Sequence, residues 1–515
     1  MARINVTEKD LSWYTRQGSG PLVVYVPGVS TNGPVDRPEV CDSLPMFERI
    51  FGSALSVNGL NRSYDIAASF IKAGASVLFH RFVGTSAIAP KVILDESGYL
   101  ELQAKYPGEF LNDCVVTVTK GLSTWAFTVK TREGRTLERF NVNFSDPSSE
   151  KYYTSDVSDF FTVVVSEGSP KDLSTVEVFT DPIKISGGSS AMSSDDDVVA
   201  AITAEGALDA LLDPYVFDFD VAIAAGFNKT MDLAKVDVVD AVLCEAVKGR
   251  GTALYLVDGI AGSTPEEFYS YCSQFNTSYA AGIGPWGYSK FLNTGATCLL
   301  PGSYAMLVQW IKSTSEGVPI WMAPAGVKRS SLGSFYVKPQ YEIGKSILDA
   351  WQVNDDDPVN DCYKVNPIMR AKSYGYIVYG NSTLLHSSED GRTSMLQSIS
   401  TRVTSNVIKK VAFNVALSLQ FDQMVGDLFT QFKTLMGVTL DEMKYQGAIY
   451  DYRVIVDTSV VTVGNLNERR VPVIIQISPA PAVENFDITV EITKAGLTFT
   501  DDGTTTTVVV VNSEE

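Results

Sequence analysis

The sequence predicts an α+β, multidomain protein: an α/β core with an inserted all-β domain and extended N- and C-terminal arms. Three observations carry this. At 515 residues the chain exceeds one ordinary domain. Between about residues 92 and 185 its texture turns from alternating helix and strand patterns to strand patterns alone, then turns back. It closes on "PAPAVENFDITVEITKAGLTFTDDGTTTTVVVVNSEE", a Pro-punctuated hinge followed by period-two alternation whose backbone groups need a partner strand.

The elements follow in order. Residues 1–20 are polar and close on Gly18-Ser19-Gly20, a flexible arm. "PLVVYVPGVS" is a buried strand before the turn-rich "TNGPVDRPE". "SLPMFERIFGS" is a short helix with Gly52 in the C-cap place. "DIAASFIKAGASVLFHRFVG" reads as helix, Gly74 stop and buried strand. Then come the β-rich stretches "CVVTVTKG", "WAFTVKTREGRTLERFNVNF", "FFTVVVSEG" and "TVEVF", the texture of a small barrel or sandwich.

After "SSDDDVVAAITAEGALDALLD" the α/β pattern resumes. "YVFDFDVAIAAGF", "KVDVVDAVLCEAVKGRG" and "TALYLVDGI" read as strand, helix, strand, a parallel βαβ unit. A long helical region is expected from about 392 to 438 on its apolar period. A hairpin-like strand pair follows around Gly464-Asn465-Leu466-Asn467. No internal repeat or low-complexity tract stands out.

With 45% hydrophobic and 20% charged residues the chain can bury real cores. Its 41 basic against 60 acidic residues give a net charge of −19, a surface that repels nucleic-acid phosphates. The opening shows no apolar signal-peptide region, and no run approaches the roughly 18 apolar residues of a membrane helix. Cys41, Cys114, Cys244, Cys272, Cys298 and Cys362 contain no C-x-x-C pair, a pattern of reduced, buried thiols.

The residues offer little chemistry. "GIGPWG" (Gly282–Gly287) matches G-x-G-x-x-G, but Pro285 and Trp286 sit inside it and no helical period follows, so it does not read as a dinucleotide site. "EIGKSIL" ends like a phosphate loop, yet Pro339 stands at the first Gly position and lacks an amide to give. His80 and His386 have no ligand at metal spacing, and no G-x-S-x-G elbow accompanies them. Asp195, Asp196 and Asp197 read as an acidic helix start, and "VNDDDPVND" as a solvated loop lacking EF-hand spacing. No catalytic, cofactor or metal site is expected.

Several motifs in register resemble the tail sheath protein family of contractile phage tails and related injection machines. They are "GVSTNGPVDRPEVCDSLPMFERIFG", "AKYPGEFLND", "ISGGSS", "YAAGIGPWG", "LLPGSYAMLVQWIKSTSEGVPIWMAPAGV", "VNPIMRAKSYGYIVYGNSTLL" and "NERRVPVIIQISPAPAVENFDITVEI". Together they cover most of residues 21–493. Three departures stand beside them. Ser382 replaces the Arg of the family's aromatic-Gly-x-Arg-Thr-Leu motif, the N-terminal arm lacks the common Pro-Gly-Val-Tyr opening, and the residues from Lys494 run past the usual end.

The resemblance implies a structural protein, not an enzyme, without cofactors. It implies a helical homopolymer of stacked hexamers around an inner tail tube protein, bounded by baseplate and tail terminator proteins. Contraction would drive the tube through a target envelope, without direct nucleic-acid contact or membrane insertion. The particle would be a virion tail assembled in the host cytoplasm. The implied domains are an arm (1–20), a discontinuous middle α/β domain (21–95 with 186–345), an outer β-rich insertion (96–185), a sheath core domain (346–480) and a C-terminal strand arm (481–515).

Terminal arms that add strands to a neighbour's sheet make Phe486, Ile488, Val490, Ile492, Ile4 and Val6 the expected exchange residues. Arg402, Lys409 and Lys410, with Arg469 and Arg470, are the expected tube-facing cations; ordinary solvated charge is the other reading. The segment "TDDGTTTTVVVV" reads as a hairpin extension or a frayed terminus. Two rival functions stand against the sheath: an α/β nucleotide-binding enzyme, from the βαβ unit and its glycines, and a surface β-protein. Within the sheath reading, a phage tail, a tailocin and a cellular injection system share these features.

Overall fold

A computed structural model describes residues 21–35, 37–56, 59–121, 124–170, 173–228, 236–352, 363–387, 393–423, 426–456 and 469–483, with strand segments at 497–499 and 505–507. Two compact units emerge, Met1–Pro481 and Ala482–Glu515.

In the first unit, β1 (Val23–Gly28) is apolar on both faces, as a strand covered by helices on either side must be. β2 (Glu39–Cys41) is short, and α1 (Leu44–Phe51) ends at Gly52, whose φ of 70° suits glycine. α2 (Asn61–Ala73) stops at left-handed Gly74 and returns the chain to β3 (Ser76–Arg81), buried throughout.

The next stretch carries β4 (Lys91–Ile93), β5 (Leu100–Ala104), β6 (Val115–Lys120), β7 (Thr124–Lys130), β8 (Thr136–Asn143), β9 (Phe161–Val165) and β10 (Ile183–Lys184). They form two antiparallel sheets, ordered β10-β6-β7-β8 and β4-β5-β9. Trp125, Phe127 and Val129 alternate inward from β7 and join Leu100, Val116 and Val163 in an apolar cluster separate from the main one.

Two strands of chain connect this part to the rest, and both are tightly held. The buried Arg81 donates to the carbonyls of Ser30, Gly33 and Pro107 at 3.0, 2.8 and 2.7 Å. Glu109 Oε1 accepts from the Ser190 amide and hydroxyl at 2.7 and 2.8 Å. Asn112 and Gly188 exchange two hydrogen bonds at 2.8 and 2.9 Å. Glycine is required here by close approach: a Cβ on Gly108 would lie 2.1 Å from the Thr31 carbonyl oxygen, and one on Gly188 2.2 Å from that of Gly108.

The chain then supplies α3 (Asp195–Ile202), α4 (Asp209–Leu212), β11 (Val221–Ile223), α5 (Val238–Arg250), β12 (Leu254–Val257), α6 (Pro265–Cys272) and β13 (Ala280–Gly284). α3 starts as its aspartates predict: Ser194 and Asp197 close a capping box. β14 (Gly287–Lys290), β15 (Thr297–Leu300) and β16 (Tyr336–Pro339) make a small antiparallel sheet, with α7 (Gly302–Ser315) and α8 (Gly326–Arg329) between its second and third strands. α9 (Lys345–Gln352), β17 (Asn366–Ala371) and β18 (Gly375–Val378) follow.

The main sheet has the order β18-β17-β13-β12-β11-β1-β3-β2. Pairing is parallel from β17 through β3, and the edge strands β2 and β18 are antiparallel to their neighbours. Because β13 pairs with β17 (Ile283 with Asn366), the sheet runs across the boundary expected at 345. One apolar cluster extends from Leu22 to Val456.

The long helical region resolves into α10 (Ile399–Ser418) and α11 (Gly426–Tyr445), separated by a turn in which Phe421 has a φ of 74°. β19 (Ile449–Ile455) and β20 (Ile474–Pro479) then pair antiparallel; the expected turn at Gly464–Asn467 lies outside the described residues, as does "VNDDDPVND". In the second unit β21 (Leu497–Phe499) pairs antiparallel with β22 (Thr505–Thr507); the rest of "TDDGTTTTVVVV" lies outside the described residues.

Candidate assembly surface

The glycines of "GIGPWG" serve packing. Gly282 and Gly284 lie on β13, where a Cβ would meet Cys272 Sγ at 2.8 Å and the Phe268 ring at 2.4 Å, so their absence of side chains lets α6 lie close. The chain leaves β13 for β14, not for a helix N-terminus, which removes the pyrophosphate geometry.

Two buried acids sit nearby, each enclosed by the chain's own donors. Asp258 accepts from the Ser303 amide and hydroxyl, both at 2.6 Å, and burial pushes its carboxyl up to about 7. Asp240 accepts from Tyr255 and Tyr271, and burial raises it to about 6. His80 packs with Tyr25, Nδ1 3.1 Å from its hydroxyl, and His386 stacks on Tyr363. Among the described residues no His, Cys, Asp and Glu cluster is arranged to hold a metal, and no helix is long and apolar enough to cross a membrane. Cys41, Cys114, Cys244 and Cys272 are buried as expected, whereas Cys298 is exposed.

The feature suited to assembly is the β19–β20 ribbon. Tyr452, Val454, Ile475 and Ile477 occupy one face and pack on the main core, with Tyr452 opposite Ile477 and Val454 opposite Ile475. The Tyr452 hydroxyl donates to Asp441 at 2.7 Å and Lys444 to Asp451 at 2.8 Å, fastening the ribbon to α11. Among the described residues β19 and β20 pair only with each other, so each offers a further row of N–H and C=O groups.

The expected cations divide. Arg402 is 3% exposed, its guanidinium 4.4 Å from the Tyr279 ring centroid. Lys410 Nζ lies against Asp220 and Asp218 at 2.6 and 2.9 Å and donates to the Phe219 carbonyl at 2.8 Å. Neither side chain is presented outward in the single chain, because in-chain acids and an aromatic face compensate their desolvation. Lys409 is exposed, but its amine donates to the Gly251 carbonyl at 3.1 Å and the Tyr279 hydroxyl at 2.7 Å. Burial alone would raise the Tyr279 hydroxyl; the Lys409 bond and the two cations bring it below the ordinary tyrosine value. Arg469 and Arg470 are exposed before β20. The exchange residues Ile4, Val6, Phe486, Ile488, Val490 and Ile492 lie outside the described residues.

At the departure noted above, Ser382 is buried in a neutral network. Asn366 accepts from the Ser382 amide at 2.8 Å and donates to the carbonyls of Gly282 and Ser382 at 2.9 and 2.8 Å. Hydrogen bonds from an amide side chain thus hold this turn without a salt bridge.

No protein-family model matches the chain. A tail sheath protein of Vibrio phage KVP40 is 24% identical over 217 residues, 41% of this chain and 29% of that protein, so the match spans less than a third of the relative's length. The sheath tail protein of Listeria innocua superposes with a TM-score of 0.58 at 11% identity, covering 92% of this chain and 98% of the other. The helical sheath of the anti-feeding prophage, in its contracted state, gives 0.50 at 10% identity over 95% of this chain and 99% of the other. Along part of its sequence the chain is thus similar to one tail sheath protein, and along nearly its whole length it shares the fold of solved contractile sheath proteins.

Proposed function

We propose that the protein polymerises as a contractile sheath around an inner tube and that contraction drives the tube through a target envelope. The observation that carries this is the β19–β20 ribbon, fixed to α11 on one face and pairing only with itself among the described residues. A two-stranded ribbon alone is marginal, and strands added at its edges supply directional hydrogen bonds that survive rotation of one subunit against another. On this reading the strands come from the arms of neighbouring copies, through Ile4 and Val6 at one end and Phe486, Ile488, Val490 and Ile492 at the other. Residues 96–185 form the outward-facing part, and Arg469 and Arg470 are the remaining cation pair for an acidic tube.

The partners are further copies in stacked hexamers, the tube protein, and the baseplate and terminator that bound the polymer, in a phage tail or phage-like particle. The role is structural, and the work comes from larger subunit interfaces in the contracted form, without nucleotide. Electron microscopy of the purified full-length protein tests this. Long, hollow, helically striated tubes are expected; dispersed particles at high concentration would overturn it.

A further inference from the structure

α10 crosses the N-terminal ends of the parallel strands in succession. Arg402 covers Tyr279, just before β13. Asn406 donates to the Ala253 carbonyl at 3.0 Å, just before β12, and Lys410 to that of Phe219, just before β11. The next strand in the sheet is β1, where the chain arrives from residues 1–20. That arrival is tied to the same place: Val23 N donates to Asp220 Oδ2 at 2.9 Å, and Asp220 is the acid that Lys410 contacts.

One turn beyond Lys410, the polar contacts give way to exposed apolar side chains. The Phe413 ring lies 5.0 Å from that of Tyr215, which is 67% exposed. Val216 is 66% exposed, Leu417 46% and Phe421 94%. Phe413 and Leu417 lie four residues apart on one face of α10, and Phe421 follows in the turn beyond its end. Contiguous exposed apolar groups of this kind mark a contact surface.

We infer that this stripe is the seat of the chain's own segment Leu11–Tyr14, in the sequence "DLSWYT", which docks Trp13 and Tyr14 beside Phe413 and Leu417. The described chain begins at Pro21, and Asp220 ties the start of β1 to Lys410, one helical turn before Phe413. The seven residues from Tyr14 to Pro21 span up to roughly 24 Å extended, while Phe413 to Leu417 is about 6 Å at helical rise. Two large aromatics supply the area that the patch leaves uncovered. Seating of this segment leaves the first ten residues, with Ile4 and Val6, as the portion free to reach another copy, a consequence that rests on the sheath reading.

The test uses dispersed full-length protein. Leu417→benzoylphenylalanine is exposed enough to fold, and illumination should link position 417 to the tryptic peptide Asp10–Arg16 within one molecule, shown by equal isotope labels in a mixed light and heavy sample. Trp13→Ser should lower that yield at least about fivefold, while Val438→benzoylphenylalanine, on α11, should not capture the peptide. Links mainly between light and heavy chains would assign the stripe to a second copy and overturn the inference. So would links only to other segments, or a yield unmoved by Trp13→Ser. None of these outcomes depends on polymerisation, so failure here leaves the sheath reading standing.

Discussion

Lys410 Nζ lies 2.6 Å from Asp220 Oδ1, and Oδ2 of the same carboxylate accepts from the Val23 amide, so one side chain joins α10, the lead into β11 and the start of β1. With its amine removed, two carboxylates would face one another with only Arg250 near Asp218. Breaking a buried pair from one side costs about 3–5 kcal/mol. Lys410→Met should therefore lose about 3 kcal/mol in urea denaturation, and Lys410→Glu more. Lys409→Glu, at an exposed amine, should change stability by no more than about 1 kcal/mol. A loss of assembly on charge reversal at 410 would thus mix stability with docking, whereas Lys409→Glu leaves the fold in place.

Stability should fall as pH rises from about 4 to about 7. Asp240 and Asp258 are held at about 6 and about 7 by burial, above the unfolded value of 3.8. Between those values the native state keeps protons that the unfolded state releases, so each group lowers unfolding free energy by about 1.4 kcal/mol per pH unit in its window. Below pH 4 both states are protonated and above pH 7 neither is, so the contribution levels off. Asp258→Asn keeps an acceptor for the Ser303 amide and should flatten the decline in denaturation curves taken at pH 5, 6 and 7; an unchanged slope would contradict the assignment.

Gly108→Ala should cost about 3 kcal/mol or more, seen as a lowered Tm in calorimetry. Its φ of 142° disfavours any side chain, and the new methyl would meet the Thr31 carbonyl at 2.1 Å. Gly134→Ala, in an open hairpin turn with nothing within 4 Å, should cost only its φ strain of about 1 kcal/mol.

Deleting residues 484–515 should leave the body's melting transition in place, because Met1–Pro481 forms its own compact unit. If the C-terminal segment supplies an exchanged strand, the truncated protein will form no tubes under conditions where the full chain does. Tubes of normal length from the truncated chain would remove that segment from the polymerisation mechanism.

Local signals made much of the body legible. The apolar run at Val23–Gly28, the Gly52 and Gly74 stops and the capping residues of α3 each act within a few residues of themselves. The sheet's extent was not legible, since Ile283 finds Asn366 across 83 positions and no local pattern encodes that partner. The turn between α10 and α11 has no proline or glycine at its bend, only Phe421 in an unusual conformation, so the two helices read as one. The cations of α10 show the same limit. Sequence gives Lys410 its charge, but only the fold sets Asp218 and Asp220 against it. The ribbon was visible as alternation, yet its open edges among the described residues depend on where every other described strand lies.

The seam around Gly84, Gly108 and Gly188 has an engineering consequence. Backbone passes against backbone there, with Arg81, Glu109 and Asn112 as rivets, and the apolar cluster of β4–β10 is separate from the main one. The seam works as a mounting plate, because its hydrogen bonds involve no residue of β6–β9. Foreign folds spliced between Cys114 and Ile185, whose backbones share a hydrogen bond, should keep this attachment only if they also cover β5, which loses its pairing with β9 and the apolar partners of Leu100 and Leu102.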